Sequence, residues 1–167
     1  RATRKTGSVG QSVSTGVLAR AAAVHRAVSE ALFQEQVMGL EGALLDERGW
    51  RVFESAFPVL DVMFDRPGRI PLRVRLLCND WNDMPPSITL HDSQGPLLTT
   101  LPTGSGVFNS SAHPRTGRPF ICMAGSLEYH THDSHTSDHW ENYRSRGGYD
   151  IGGVVTQIWN AWLRTTP

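Results

Sequence analysis

The 167-residue sequence has almost no lysine: fifteen arginines stand beside a single Lys5. Codon bias accounts for that imbalance. So does a chain that avoids amines of its own because it handles lysine-directed acylation, and composition does not choose between the two. Net charge is also missing, with 16 basic against 16 acidic residues. Neutrality removes the usual argument for nucleic acid or an anionic membrane as the principal partner. No apolar run approaches the ~20 residues that span a bilayer, and no signal-peptide pattern stands at the start, so the expectation is a cytoplasmic protein. Cysteine is scarce: Cys78 sits in an apolar, strand-like run and Cys122 beside histidines. Two such unlike settings argue for reduced thiols, not a disulfide framework. A Gly-rich phosphate loop is lacking too, so any nucleotide-dependent activation belongs to a partner.

What is present suits one domain able to bury a core without staples. Residues 1–14 are basic, polar and Gly/Ser-rich and read as a flexible tail, with a single domain over 15–167. Ser14 or Thr15 can cap a helix running to about Met38, where Gly39 supplies a stop. Val17, Ala21, Val24, Val28, Ala31 and Leu32 follow a three-to-four spacing along it. From Trp50 the pattern turns to strands: "WRVFESAF", "VLDVMF", "PLRVRLLC" and "SITL", with "RPGR" at 66–69 as a turn. The short connections predict an antiparallel meander. Residues 91–119 are rich in Gly, Pro, Ser and Thr with no sustained period, a long irregular stretch of the kind that usually carries function. "YDIGGVVTQIWNAWLR" predicts a final helix capped by Asp150, with Ile151, Val154, Val155, Ile158, Trp159 and Trp162 as its apolar stripe. Gly152 and Gly153 weaken its first turn. The fold class is therefore α+β.

Chemistry-bearing residues crowd into "ICMAGSLEYHTHDSHTSDHW", residues 121–140, which holds Cys122 and four of the seven histidines. A neighbouring imidazolium raises a thiol's thiolate fraction, the form in which cysteine attacks a carbonyl. If the segment is extended, Glu128, His130 and His132 fall on one face as a polar row beside the thiol. One histidine could then act as general base, with Glu128 fixing its tautomer or deprotonating an amine itself. A closed zinc site of Cys122, His130, His132 and His135 is the competing reading. His135 and His139, four apart, would share a face on a helical turn. Asp133, Asp138 and Arg144 read more simply as loop capping and ion pairing, and His25 and His91 as surface or core residues.

The order of elements is similar to the ubiquitin-conjugating (UBC) fold. "WNDMPP" at 81–86 resembles that family's aromatic-Pro-x-x-Pro-Pro at the end of the meander. "HPRTGRPFIC" at 113–122 resembles its His-Pro-Asn run before the catalytic cysteine, with Arg115 where the oxyanion-steadying asparagine would stand. Cys122, Glu128, Tyr129, His130 and His132 resemble the Cys-Glu-His-His variety of bacterial conjugating enzyme from ubiquitin-like antiphage systems. The resemblance implies a UBC-like fold and a ubiquitin-like modifier held as a thioester on Cys122. Glu128, His130 and His132 would promote its transfer to a lysine, and no cofactor is needed. It also implies an activating enzyme docking on the first helix, with a deubiquitinase-like protease as a further partner. His113 takes the place of that family's structural histidine. A zinc module on the same fold and a silent modifier-binding adaptor remain the alternatives.

Overall fold

The computed structural model describes residues 25–40 and 42–166. The expected tail and the start of the first helix lie outside them. Within them, helix α1 covers 25–38 and ends in a turn at Gly39 and Leu40. Its inward face matches the expected one only in part: Leu32 packs against the core, Ala31 is exposed, and Val17, Ala21 and Val24 lie outside the described residues. Val28 is 54% exposed, whereas Phe33, Val37, Leu40 and Ser29 are buried. The bulky Phe33, edge-on to Phe57 at 5.7 Å, decides which face turns in, because it carries far more apolar area than the valine and alanine beside it.

A short helix not expected from the pattern, α2 (Ala43–Arg48), follows. It ends at Gly49, whose φ of 70° is the left-handed cap conformation that glycine adopts without strain. A Cβ there would stand 2.1 Å from the Asp65 carbonyl oxygen, so the residue also lets two backbones meet.

Strands β1 (Trp50–Ala56), β2 (Val59–Phe64), β3 (Leu72–Leu77) and β4 (Ser87–His91) form the expected antiparallel meander in that order. Leu60, Val62 and Phe64 of β2 alternate inward, as do Leu72, Val74 and Leu76 of β3 and Ile88 and Leu90 of β4. They share one core with Phe33 and Val37 of α1 and with Ile151, Val154, Val155, Ile158 and Trp162 of the last helix, α4 (Ile151–Leu163). Asp150 caps α4 as expected, its carboxylate accepting from the Gly153 N–H at 2.6 Å. On the opposite face of the sheet, the buried Asp61 holds Arg73 through two hydrogen bonds of 2.7 and 2.9 Å. Among the described residues no helix is long and apolar enough to cross a membrane.

The irregular stretch at 91–119 contains β5 (Phe108–Asn109), which pairs as a two-strand ribbon with β6 (Phe120–Ile121) just beyond it. Next comes α3 (Leu127–Thr131), then 3-10 turns at Asp133–His135 and Trp140–Asn142. β4 is the edge of the sheet, and its outer side is covered. Leu98 N–H donates to the Leu90 carbonyl, and Leu127 N–H to that of Pro86, each at 2.9 Å. This cover holds the candidate site against the sheet.

Candidate active site

Cys122 follows β6 directly, and its N–H donates to the Val107 carbonyl at 2.8 Å, which fixes where the thiol emerges. The side chain is half-buried. Burial pushes the thiol above its ordinary range, so most of it keeps its proton at neutral pH unless a neighbour accepts it. That neighbour is His135, whose Nε2 lies 3.5 Å from Sγ. Cys78, by contrast, is 1% exposed, and burial raises its thiol to about 12.

Three features of the chain deliver His135 to the thiol. Ser126 caps α3, its hydroxyl accepting from Tyr129 N–H at 3.2 Å. α3 stops after one turn at His132, which in turn caps the 3-10 turn by accepting from the Ser134 N–H. The chain thus doubles back and lays the His135 ring on that of Tyr129, centroids 4.0 Å apart and planes 19° from parallel. The Tyr129 hydroxyl donates to Asp138 at 2.8 Å, and the Tyr143 hydroxyl donates to the same carboxylate at 2.7 Å. Those two bonds, the Tyr143 one first, hold the Asp138 carboxyl below its ordinary range. Burial and the bond to Asp138 raise Tyr129 to about 12.

The polar row expected from an extended segment does not form. Residues 127–131 are helical, and neighbours two apart on a helix point to opposite sides. Glu128 turns to the sheet and is 4% exposed, its carboxylate accepting from Ser87 Oγ at 2.6 Å and from the Ile88 N–H at 3.0 Å. His130 turns the other way. Its Nδ1 lies 2.7 Å from the Asp138 carbonyl, and its Nε2 accepts from the Gly125 N–H at 3.2 Å. A carbonyl only accepts and an amide N–H only donates, so this pattern assigns the proton to Nδ1 and leaves neither nitrogen free as a base. The His132 ring stacks on Phe120 at 5.4 Å and lies 5.9 Å from the His135 ring. Its Nδ1 accepts from the Ser134 N–H, which places the proton on Nε2 and makes that atom a donor.

His113 is 1% exposed, and its Nε2–H donates to the Glu128 carbonyl at 2.8 Å while Nδ1 accepts from the Arg115 N–H. Those bonds give it a structural place. The Arg115 side chain is exposed. The zinc set does not assemble: among the described residues no three His, Cys, Asp or Glu side chains are placed to hold a metal. Cys122 and His135 meet, His130 is bonded elsewhere, and His139 is exposed at the head of the second 3-10 turn.

The sequence brings His135 to the thiol only as a ligand of the zinc reading; its place as the imidazole partner of Cys122, and the Tyr129–Asp138–Tyr143 cluster behind it, are what reasoning from sequence missed. The signal lay in "THDSHTSDHW", whose Asp-Ser and Ser-Asp pairs are turn formers. They fold the chain back where an extended strand would have carried His135 away.

The elements and the site define an α+β protein with a half-buried cysteine–histidine pair at the edge of a four-stranded meander. Residues 107–165 match the profile of a family described as Y4jH-like, the Y4jH family. The matched segment is about a third of the chain, and it holds Cys122, α3, both 3-10 turns and α4. α1 and the meander lie outside it. No curated protein matches the chain.

Proposed function

We propose that the protein is a ubiquitin-like-protein conjugating enzyme of the Cys-Glu-His-His bacterial type. In this reading it carries the modifier as a thioester on Cys122 and passes it to a lysine. The observation that carries the reading is the half-exposed Cys122 thiol with the His135 Nε2 at 3.5 Å, set where the UBC-like order of elements calls for a reactive cysteine. The near absence of lysine from the chain fits it as well as it fits codon bias, since self-modification would compete with transfer.

The chemistry assigns one base to both steps. In charging, Sγ attacks the thioester carbonyl presented by an activating enzyme. A new carbon–sulfur bond forms at Cys122, the old one breaks, and His135 moves the thiol proton to the departing thiolate. In transfer, an uncharged lysine amine attacks the same carbonyl. The carbon–nitrogen bond forms, the bond to Sγ breaks, and His135 takes the amine proton and returns it to Sγ. The donor Nε2–H of His132 is suited to the oxyanion, the role left open by Arg115. Glu128 and His130 act as positioning residues that hold α3 on the sheet and on the loop after Cys122.

The test is incubation of the full chain with its activating enzyme, modifier and ATP, read by intact mass. A reductant-sensitive adduct at Cys122, absent from Cys122→Ala, is the expected result. A chain that binds modifier but forms no adduct would overturn the reading in favour of the adaptor.

A further inference from the structure

Among the described residues the His135 imidazole has no hydrogen-bond partner but the Cys122 thiol: the structure places its Nε2 on the thiol and its ring against Tyr129. We propose that Asp138 is a positioning residue of this pair, acting through the Tyr129 ring. The proposal deepens the conjugating reading but rests on geometry that a thiol reagent can interrogate without it.

The path is short and continuous. Asp138 is half-buried between two tyrosines and accepts from both hydroxyls, at 2.8 Å from Tyr129 and 2.7 Å from Tyr143. Its main-chain carbonyl accepts a hydrogen bond from the His130 Nδ1–H, so the same residue also ties the end of α3 to the 3-10 segment. Tyr129 is thereby pinned at its hydroxyl end, and its ring face is the surface on which His135 lies, 19° from parallel. Offset aromatic stacking of this kind contributes beyond the area it buries, and it restrains the imidazole to a plane. So restrained, its Nε2 stands 3.5 Å from Sγ. Tyr143, which shares the carboxylate, instead packs against His130 at 5.5 Å and Tyr149 at 5.0 Å, and so serves as a control within the same cluster.

The groups that face His135 are Cys122 from the loop after β6, Tyr129 from α3, His132 from its C-terminal cap, and Asp138 from the segment beyond. Burial pushes the Cys122 thiol above its ordinary range, so its reactivity near neutral pH reports how well the imidazole is placed.

The experiment measures the rate at which iodoacetamide alkylates Cys122 in the full chain between pH 6 and 9, peptide by peptide. Tyr129→Phe removes the hydroxyl bond and keeps the ring; Asp138→Ala removes the acceptor. Each should slow alkylation of Cys122 at neutral pH by about threefold or more and displace its pH profile upward. The double variant should add little to either single change, because both break one path. Tyr143→Phe should remain within about twofold of the parent. Buried Cys78 reads folding in the same digest: it stays unmodified while the core is intact. If Asp138→Ala opens Cys78, Asp138→Asn, which keeps the shape and one acceptor, decides in its place. Parent-like rates in Tyr129→Phe and in the folded Asp138 variant would overturn the proposal. So would additive effects in the double variant, or an equal effect of Tyr143→Phe. Failure to form the thioester adduct with intact alkylation behaviour would sink the conjugating reading and leave this one standing.

Discussion

The carboxylate of Glu128 accepts a hydrogen bond from the main-chain N–H of Ile88 at 3.0 Å, forty residues away in sequence. Ile88 lies on the edge strand, where a buried N–H facing outward has no further strand to pair with. Glu128 therefore closes the sheet edge, and a second bond from Ser87 Oγ at 2.6 Å fixes its orientation. Removing it leaves a buried donor unsatisfied, so Glu128→Ala should lower stability by about 2–3 kcal/mol in urea unfolding. Glu128→Gln, which keeps an acceptor, should lose less. A loss below about 0.5 kcal/mol for the alanine variant would show that the edge is satisfied some other way.

His132 and His135 divide by what they do to the thiol. His135→Ala should slow both thioester formation and discharge by about a hundredfold or more, and it should also slow alkylation of Cys122. His132→Ala should slow the two acyl steps, as loss of an oxyanion donor does, yet leave alkylation nearly unchanged. Alkylation forms no tetrahedral oxyanion, which is why the reagent separates the roles. Equal sensitivity of alkylation to both substitutions would place the two rings in one function.

The meander was legible in the sequence for a physical reason. β3 and β4 alternate buried with half-buried or exposed residues, and "RPGR" can only turn. The described part of the α1 face is only partly legible, with Leu32 inward and Val28 outward, because periodicity counts valine and alanine as equals of Phe33, while burial follows area. The site was legible in composition and not in geometry. Cys122, Glu128, His130 and His132 were all singled out, but their directions depend on the Ser126 cap, which makes a helical turn of a segment that spacing alone leaves open as a strand. His135 reaches the thiol through two successive turns and a stack on Tyr129. None of these leaves a periodic trace.

Alkaline pH should unfold the protein through its buried thiol. Burial raises Cys78 from 9.0 to about 12 in the folded chain. Below the lower value both states keep the proton, and the full stability is present. Between the two values the unfolded chain loses a proton that the folded chain retains, so stability falls as pH rises, by up to about 1.4 kcal/mol per pH unit. Tyr129, raised to about 12, contributes in the same direction from its ordinary 10.0 upward. Urea unfolding of Cys78→Ala across this range should give a shallower dependence from a lower starting stability. An unchanged slope would remove Cys78 as the cause.

Two acidic residues on the outer sheet face should differ sharply. Asp61 is 1% exposed and bound by Arg73 through two bonds, with a second contact from Arg75 at 3.5 Å. Glu54 meets Arg75 at 3.2 Å with both side chains more than two-fifths exposed. Solvent screens the second pair, and side-chain entropy offsets most of what remains, so Glu54→Ala should change stability by less than about 1 kcal/mol. Asp61→Ala leaves the Arg73 guanidinium, whose side chain is 21% exposed, without either of its bonds and should cost about 2–3 kcal/mol. Salt titration should give the opposite ordering, with the exposed Glu54–Arg75 pair the more salt-sensitive. Comparable losses at the two positions would mean that burial does not set the difference.

Gly152 and Gly153 look alike in sequence, as two poor helix formers in the first turn of α4, and replacing either by alanine should favour the helix by about 1 kcal/mol on propensity alone. Their surroundings decide otherwise. A Cβ on Gly153 would stand 2.4 Å from the carbonyl carbon and oxygen of Gly148, main-chain atoms that cannot rotate away. A Cβ on Gly152 would meet the Leu40 Cδ2 at 3.1 Å, the far end of a flexible side chain. Gly153→Ala should therefore destabilise by about 1–3 kcal/mol despite its better propensity, because the turn at Gly148 must move and it frames the Asp150 cap. Gly152→Ala should fall within about 1 kcal/mol of the parent, on either side, as repacking of Leu40 and helix propensity oppose each other. Thermal or urea unfolding of the two variants side by side measures the contrast. A stabilised Gly153→Ala would show that the Gly148 turn yields at little cost and that helix propensity governs this end of α4.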